Sequence, residues 1–95
     1  MDAWLQCEIG QGQFSFERAV QGRRADGREF SLFAPEESVK SQQSTSSATR
    51  FVPGRVRVRV VDRLGERAVV RLPAEAFEDG YLVTVSTRDL KEAIH

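Results

Sequence analysis

The chain has 95 residues, room for one domain with one modest core and not for two. Apolar residues make up 40% of it, too many for wholesale disorder, and 14 basic residues balance 14 acidic ones. A neutral total argues against a purely electrostatic nucleic-acid coat and leaves local charged patches open.

Leu5, Cys7 and Ile9 alternate with Gln6 and Glu8, which predicts a strand over 4–9, ended by Gly10-Gln11-Gly12. Phe14, Phe16 and Val20 share a parity, so a second strand is predicted over 13–21, kinked near Arg18. Asp26-Gly27 favours a tight turn into a third strand over 28–33, which Pro35 stops. Residues 38–50 are rich in Ser, Thr and Gln, and Val39 is their one large apolar side chain. Such a run does not repay its ordering entropy, so a mobile loop is expected inside a single 1–95 domain.

Arg55 to Val60 alternates strictly, which predicts a fourth strand over 55–61. A turn around Leu64-Gly65 returns the chain through a fifth strand, 67–72, ended by Pro73. A hairpin centred near Leu64 places Val60 opposite Ala68, Val58 opposite Val70 and Val56 opposite Leu72, leaving one wholly apolar face. Tyr81 to Ser86 is a sixth strand, and 87–94 reads as a short helical segment with Leu90 and Ile94 facing the body. The expected interior holds Leu5, Ile9, Phe14, Phe16, Leu32, Val56, Val58, Val60, Val70, Leu72, Val83 and Val85. The halves echo each other faintly, in Phe33-Ala34-Pro35-Glu36 and Leu72-Pro73-Ala74-Glu75.

Six short strands joined by hairpins predict an all-β barrel, with an OB-like barrel or an orthogonal two-layer sheet as alternatives. The second half, with its long hairpin and a helical turn near the last strand, resembles the small SH3-like barrels. The stretches Phe14–Phe33 and Val56–Leu90 also resemble small uncharacterised bacterial proteins. That resemblance implies a small barrel and assigns no catalytic or binding residue. SH3-like barrels bind peptides, nucleic acids or other subunits, so function must be argued from a site.

Catalytic and metal chemistry find little here. The one histidine, His95, is the last residue, and Cys7 sits among apolar neighbours on a predicted strand. Its plain reading is a buried small hydrophobe, since a nucleophile needs a base and an activating environment. Glu36-Glu37 and Glu78-Asp79 are adjacent acids in turns, not carboxylates held in a cleft. No enzyme, cofactor or metal site is therefore expected. A lone cysteine suits a reducing, cytoplasmic setting. The opening Met1-Asp2-Ala3-Trp4 does not read as a secretory signal, and no apolar run is long enough to span a membrane.

Charge is uneven along the chain. Residues 50–71 carry seven arginines and two acids, a local net of +5, against −2 before them and −3 after. With Val56, Val58 and Val60 inward, Arg55, Arg57 and Arg59 face out, beside Arg67 and Arg71 on the return strand. The expected register puts Arg57 opposite Arg71, and like charges directly across a sheet repel unless an anion intervenes. The plain reading is an ordinary solvated face. The first functional reading is an interaction module or accessory subunit, whose Arg face meets an acidic protein partner or builds a homodimer. The second is weak, sequence-indifferent RNA or DNA binding through phosphates. Interleaved acids favour the first; an unbroken positive stripe beside an exposed aromatic favours the second, with Trp4, Phe51 and Tyr81 as the aromatics to place.

Overall fold

A computed structural model of the chain describes residues 1–41 and 51–92. The expected all-β class is what is found: eight antiparallel strands form one curled, open half-barrel sheet, and no α-helix occurs among the described residues. The strands are β1 Asp2–Gln11, β2 Glu17–Arg23, β3 Glu29–Pro35, β4 Val39–Ser41, β5 Val52–Leu64, β6 Arg67–Ala76, β7 Gly80–Ser86 and β8 Leu90–Glu92. Their main order is β3-β2-β1-β5-β6-β7. β4 extends the outer edge of β5 beyond the end of β6, and β8 does the same for β1 beyond β2.

Strand twist curls the sheet so that its two end strands turn toward each other. The Phe77 amide donates to the Ser31 carbonyl at 3.0 Å, and the Ala25 amide donates to the Thr84 carbonyl at 2.8 Å. An Arg24–Asp79 ion pair at 2.6 Å and an edge-on contact between Phe33 and Phe77 fasten the same seam. These links occupy part of two edges that would otherwise be open to pairing with another chain.

The core lies on the inner face of the curl. Ala3, Leu5, Cys7 and Ile9 of β1 meet Val56 and Val58 of β5, with Leu32, Val70 and Val85 among the partners from flanking strands. Phe14 and Phe16, expected inside, stand 58% and 66% exposed. The reason is local: residues 12–16 form the turn between β1 and β2 and obey no strand parity. Val60 is only half-buried, near the hairpin's open end.

The long hairpin is shifted by two residues from its expected register. Val60 pairs with Val70, not Ala68, and Arg71 faces Arg59, not Arg57. Two features cause this. Gly65 adopts φ +65° at the first position of a two-residue turn, which places Leu64 opposite Arg67. From that turn alone Val60 would fall opposite Arg71; a bulge at Val61 absorbs the extra residue and returns valine to face valine.

Two more expectations change. Within the loop expected over 38–50, Ser38 closes a 3-10 turn and Val39–Ser41 form β4; the rest of that loop lies outside the described residues. The terminal helix expected over 87–94 is instead a 3-10 turn, Thr87–Asp89, followed by β8. Each unit has one large apolar residue, Val39 or Leu90, and gains order by pairing with a long strand distant in sequence.

An internal repeat becomes visible here, in a different correspondence from the proline echo. β3, its 3-10 turn Glu36–Ser38, and β4 recur 51 residues later as β7, Thr87–Asp89 and β8. The Glu36 amide donates to the Phe16 carbonyl at 2.9 Å, and the Thr87 amide donates to the Glu66 carbonyl at 2.8 Å, at matching points of the two units. Leu5 pairs with its own counterpart Val56, so a pseudo-two-fold axis passes between them. Pro35 matches Ser86, which makes the resemblance around Pro35 and Pro73 coincidental.

The core assignment has a direct check in chemical denaturation. Leu5 is fully buried at the pivot, so Leu5→Ala is expected to cost about 2–5 kcal/mol. Phe16→Ala is expected to change stability by less than about 0.5 kcal/mol, because its ring is largely in solvent already.

Candidate functional site: a cationic stripe with a tryptophan

Inward alternation of β1 and β5 forces their other side chains onto the outer face. β5 contributes Arg55, Arg57 and Arg59; opposite them β1 contributes Gln6, Trp4 and Asp2. The short strands widen the row, because Lys40 pairs with Arg55 and Lys91 pairs with Trp4. Arg71 completes it from β6, opposite Arg59. Six cations thus share one face around a half-buried tryptophan. Close packing at Gly54 keeps β4 in place: a Cβ there would lie 2.5 Å from Ile9 and 2.6 Å from the Lys40 carbonyl oxygen.

The stripe carries two adjoining depressions. The larger, about 850 Å³, has Trp4, Gln6 and Arg55 on it, with Lys40 on one wall and Lys91 on the other. Its lining also includes Arg88, and its single acid is Asp89. The smaller, about 210 Å³, gathers Arg57, Arg59 and Arg71 around Asp2 and Pro73.

Local contacts partly relieve the crowding of like charge. The Lys40 ammonium stands 4.7 Å from the centre of the Trp4 ring, and the Arg57 guanidinium 5.9 Å from it. Arg57 also pairs with Asp2 at 2.9 Å, in an exposed geometry that holds it only weakly. Arg71, facing Arg59 across the ladder, lies over the Tyr81 ring at 4.9 Å. Among the described residues, Arg55, Arg59, Lys91 and Arg88 have no ion-pair partner.

Of the arginines singled out from the sequence, Arg55, Arg57, Arg59 and Arg71 are brought together. Arg67 is not: it sits at the hairpin tip, paired with Leu64 and Ser86, outside both depressions. Trp4 could be named in advance only as an aromatic without a location, and Lys40, Lys91 and Arg88 were not foreseen. The two lysines occupy equivalent positions in the repeated unit, and that repeat is the signal that would have found them. Phe51 covers Gly10 at the far end of β1 and does not line either depression.

Cys7 is buried on the opposite, inward face. Burial pushes its thiol up to about 12, the Glu8 charge adds to the rise, and a backbone hydrogen bond at Val56 opposes it. A protonated, enclosed thiol is a poor nucleophile. Among the described residues no group of three His, Cys, Asp or Glu side chains is placed to hold a metal ion, and no helix is long and apolar enough to cross a membrane. Comparison with protein-family models, with curated proteins and with solved structures finds no match for this chain.

Cys7 gives this placement a chemical test. The native thiol is expected to resist alkylation at pH 8 and to react freely once the chain is unfolded. Its folded value lies above the ordinary 9.0, so unfolding releases a proton in alkali, and stability should fall between about pH 9 and 12. Cys7→Ala should flatten that slope in denaturation curves taken at successive pH values; an unchanged slope would place the thiol in solvent.

Proposed function

We propose that this domain is a non-catalytic binding module that holds nucleic acid through the phosphates along the β4-β5-β1-β8 face. The observation that carries the reading is Trp4 standing inside the cationic row, between Lys40, Arg57 and Lys91. A row of guanidinium and ammonium groups suits phosphate, and an aromatic among them suits bases. An acidic protein surface would meet the same charges and could also anchor on the indole; the row of cations running beside the ring is what favours phosphates with bases attached. Acids are outnumbered on this face: Asp2 pairs with Arg57, Asp89 lines the larger depression and Glu8 ends the outward row of β1, against the six cations of the stripe.

Binding of this kind is sequence-indifferent, because phosphate contacts carry no base information. It is also moderate in strength: the domain as a whole has no net charge, and the positive field is confined to one face. Each repeated unit runs as three strands, a 3-10 turn and a short strand, a layout close to that of the small SH3-like barrels, and we assign the half-barrel to that class. Here the short strand of each unit pairs with the first strand of the other, which builds the binding face at their junction.

Fluorescence anisotropy with labelled single-stranded RNA across a salt series tests the proposal. Binding should weaken steeply as salt rises, by roughly 0.7 in log–log slope for each phosphate contact. The double variant Arg55→Gln, Arg59→Gln removes two cations that hold no ion pair among the described residues, so the fold should survive. Its slope should drop by about 1.4. No binding at low salt would remove the nucleic-acid reading and leave an acidic protein as the partner to seek.

A further inference from the structure

The two halves of the binding face are related by the pseudo-two-fold, and their side chains depart from it in one direction. On β5 the outward residues are Arg55, Arg57 and Arg59; their counterparts on β1 are Trp4, Gln6 and Glu8. One rail therefore carries three guanidinium groups. The other carries a ring, an amide and a carboxylate. On the β1 side the cations are Lys91 and Arg88, beyond the rail rather than on it, against Lys40 and three arginines on the β5 side. A ligand with phosphates on one side and bases on the other fits the rails as they are.

Resting on the nucleic-acid reading above, we infer that the face takes a single strand, its backbone along Arg55, Arg57 and Arg59 of β5 and its bases over Trp4 and Gln6 of β1. Alternate residues on a strand repeat at about 7 Å, so Arg55, Arg57 and Arg59 leave β5 at a step that suits successive phosphates of an extended strand. Arg55 and Arg59 have no ion pair to break among the described residues. Arg57 exchanges an exposed carboxylate, Asp2, for a phosphate, a near-neutral swap.

Trp4 explains why the strand is single. Its ring is half-buried in the groove of about 850 Å³, between walls that carry Lys40 and Lys91. Bases of a duplex are stacked inside the helix and cannot reach such a ring; an unpaired base can be laid on it. The ring's present neighbour is the Lys40 ammonium at 4.7 Å. An incoming base takes that place, and the displaced lysine, on the exposed wall, is free to meet a phosphate. Gln6 beside it offers a donor and an acceptor to base edges without enforcing one base.

Trp4 is the only tryptophan in the chain, so its fluorescence reports on the site alone. The probes are oligothymidylate, a mixed-sequence DNA duplex of the same phosphate number, and inorganic polyphosphate, which has the charge without bases. Oligothymidylate is expected to quench Trp4 and to bind roughly tenfold or more tighter than either of the others. In the variants, which lack the fluorophore, binding is followed by anisotropy of labelled probes: Trp4→Ala should erase that preference and leave the weaker, salt-sensitive binding, and Trp4→Phe, which keeps an aromatic face, should restore much of it. Circular dichroism of each variant separates lost stacking from a lost fold. Equal binding of all three probes with no quenching would overturn the single-strand inference and leave the phosphate reading standing. Failure of all three to bind at low salt would remove both.

Discussion

The pairing of β1 with β5 is the constraint on which the rest of the molecule depends. It runs from Asp2–Arg59 to Ile9–Val52 and crosses the pseudo-two-fold axis at Leu5–Val56. Every other strand but β3 and β7 hangs on one of these two, and those two hang on β2 and β6. Because side chains alternate across a strand, one decision about register fixes both faces at once. Placing Leu5, Cys7, Val56 and Val58 inward supplies much of the core and leaves Trp4, Arg55, Arg57 and Arg59 no place but the outside. The proposed binding face is the other side of the hydrophobic core, built by the same pairing.

The repeat explains how so short a chain makes a groove. A single unit of three strands and a 3-10 turn has too little apolar surface to be robust alone. Two units share a core, and each lends its short strand to the edge of the other's first strand. Those borrowed strands flank the groove, with Lys40 and Lys91 at equivalent positions of the repeat. Fold symmetry thus builds the groove, while asymmetry of composition gives it two unlike rails. The arginines on β5 come at an electrostatic cost, most plainly where Arg59 faces Arg71, and the turn of Arg71 onto Tyr81 together with the Asp2–Arg57 pair offsets part of it.

Much of this was legible in the residues, and the parts that were not have definite physical causes. Strict alternation at Arg55–Val60 reveals both a strand and its two faces, because period two is a local property. The inward set from Leu5 to Val85 follows from the same rule wherever a true strand carries it. Phe14 and Phe16 mislead because parity has no meaning in the turn they occupy. The hairpin register slips by two because a bulge at Val61 leaves no mark in composition, and because Gly65 sets the turn centre later than Leu64 suggests. β4 and β8 are invisible locally: three residues with one apolar side chain each become strands only through partners about 17 and 85 residues away, Val39 to Val56 and Leu90 to Leu5. For the same reason the arginines of the site could be named from sequence, while the lysines that flank them could not. Trp4 was visible as a residue, and its place beside Arg57 emerges only from the long-range pairing.

One face, made by the β1–β5 pairing and its two borrowed edges, is where nucleic acid is proposed to lie. Mapping backbone amide and Trp4 indole resonances during titration with oligothymidylate addresses it most directly. Shifts should concentrate at Trp4, Gln6, Lys40, Arg55, Arg57, Arg59 and Lys91, residues scattered through the sequence and contiguous only in this fold, while Arg67 at the hairpin tip and the Phe14–Phe16 turn stay still. Shifts confined to that tip or that turn, with Trp4 unmoved, would contradict it.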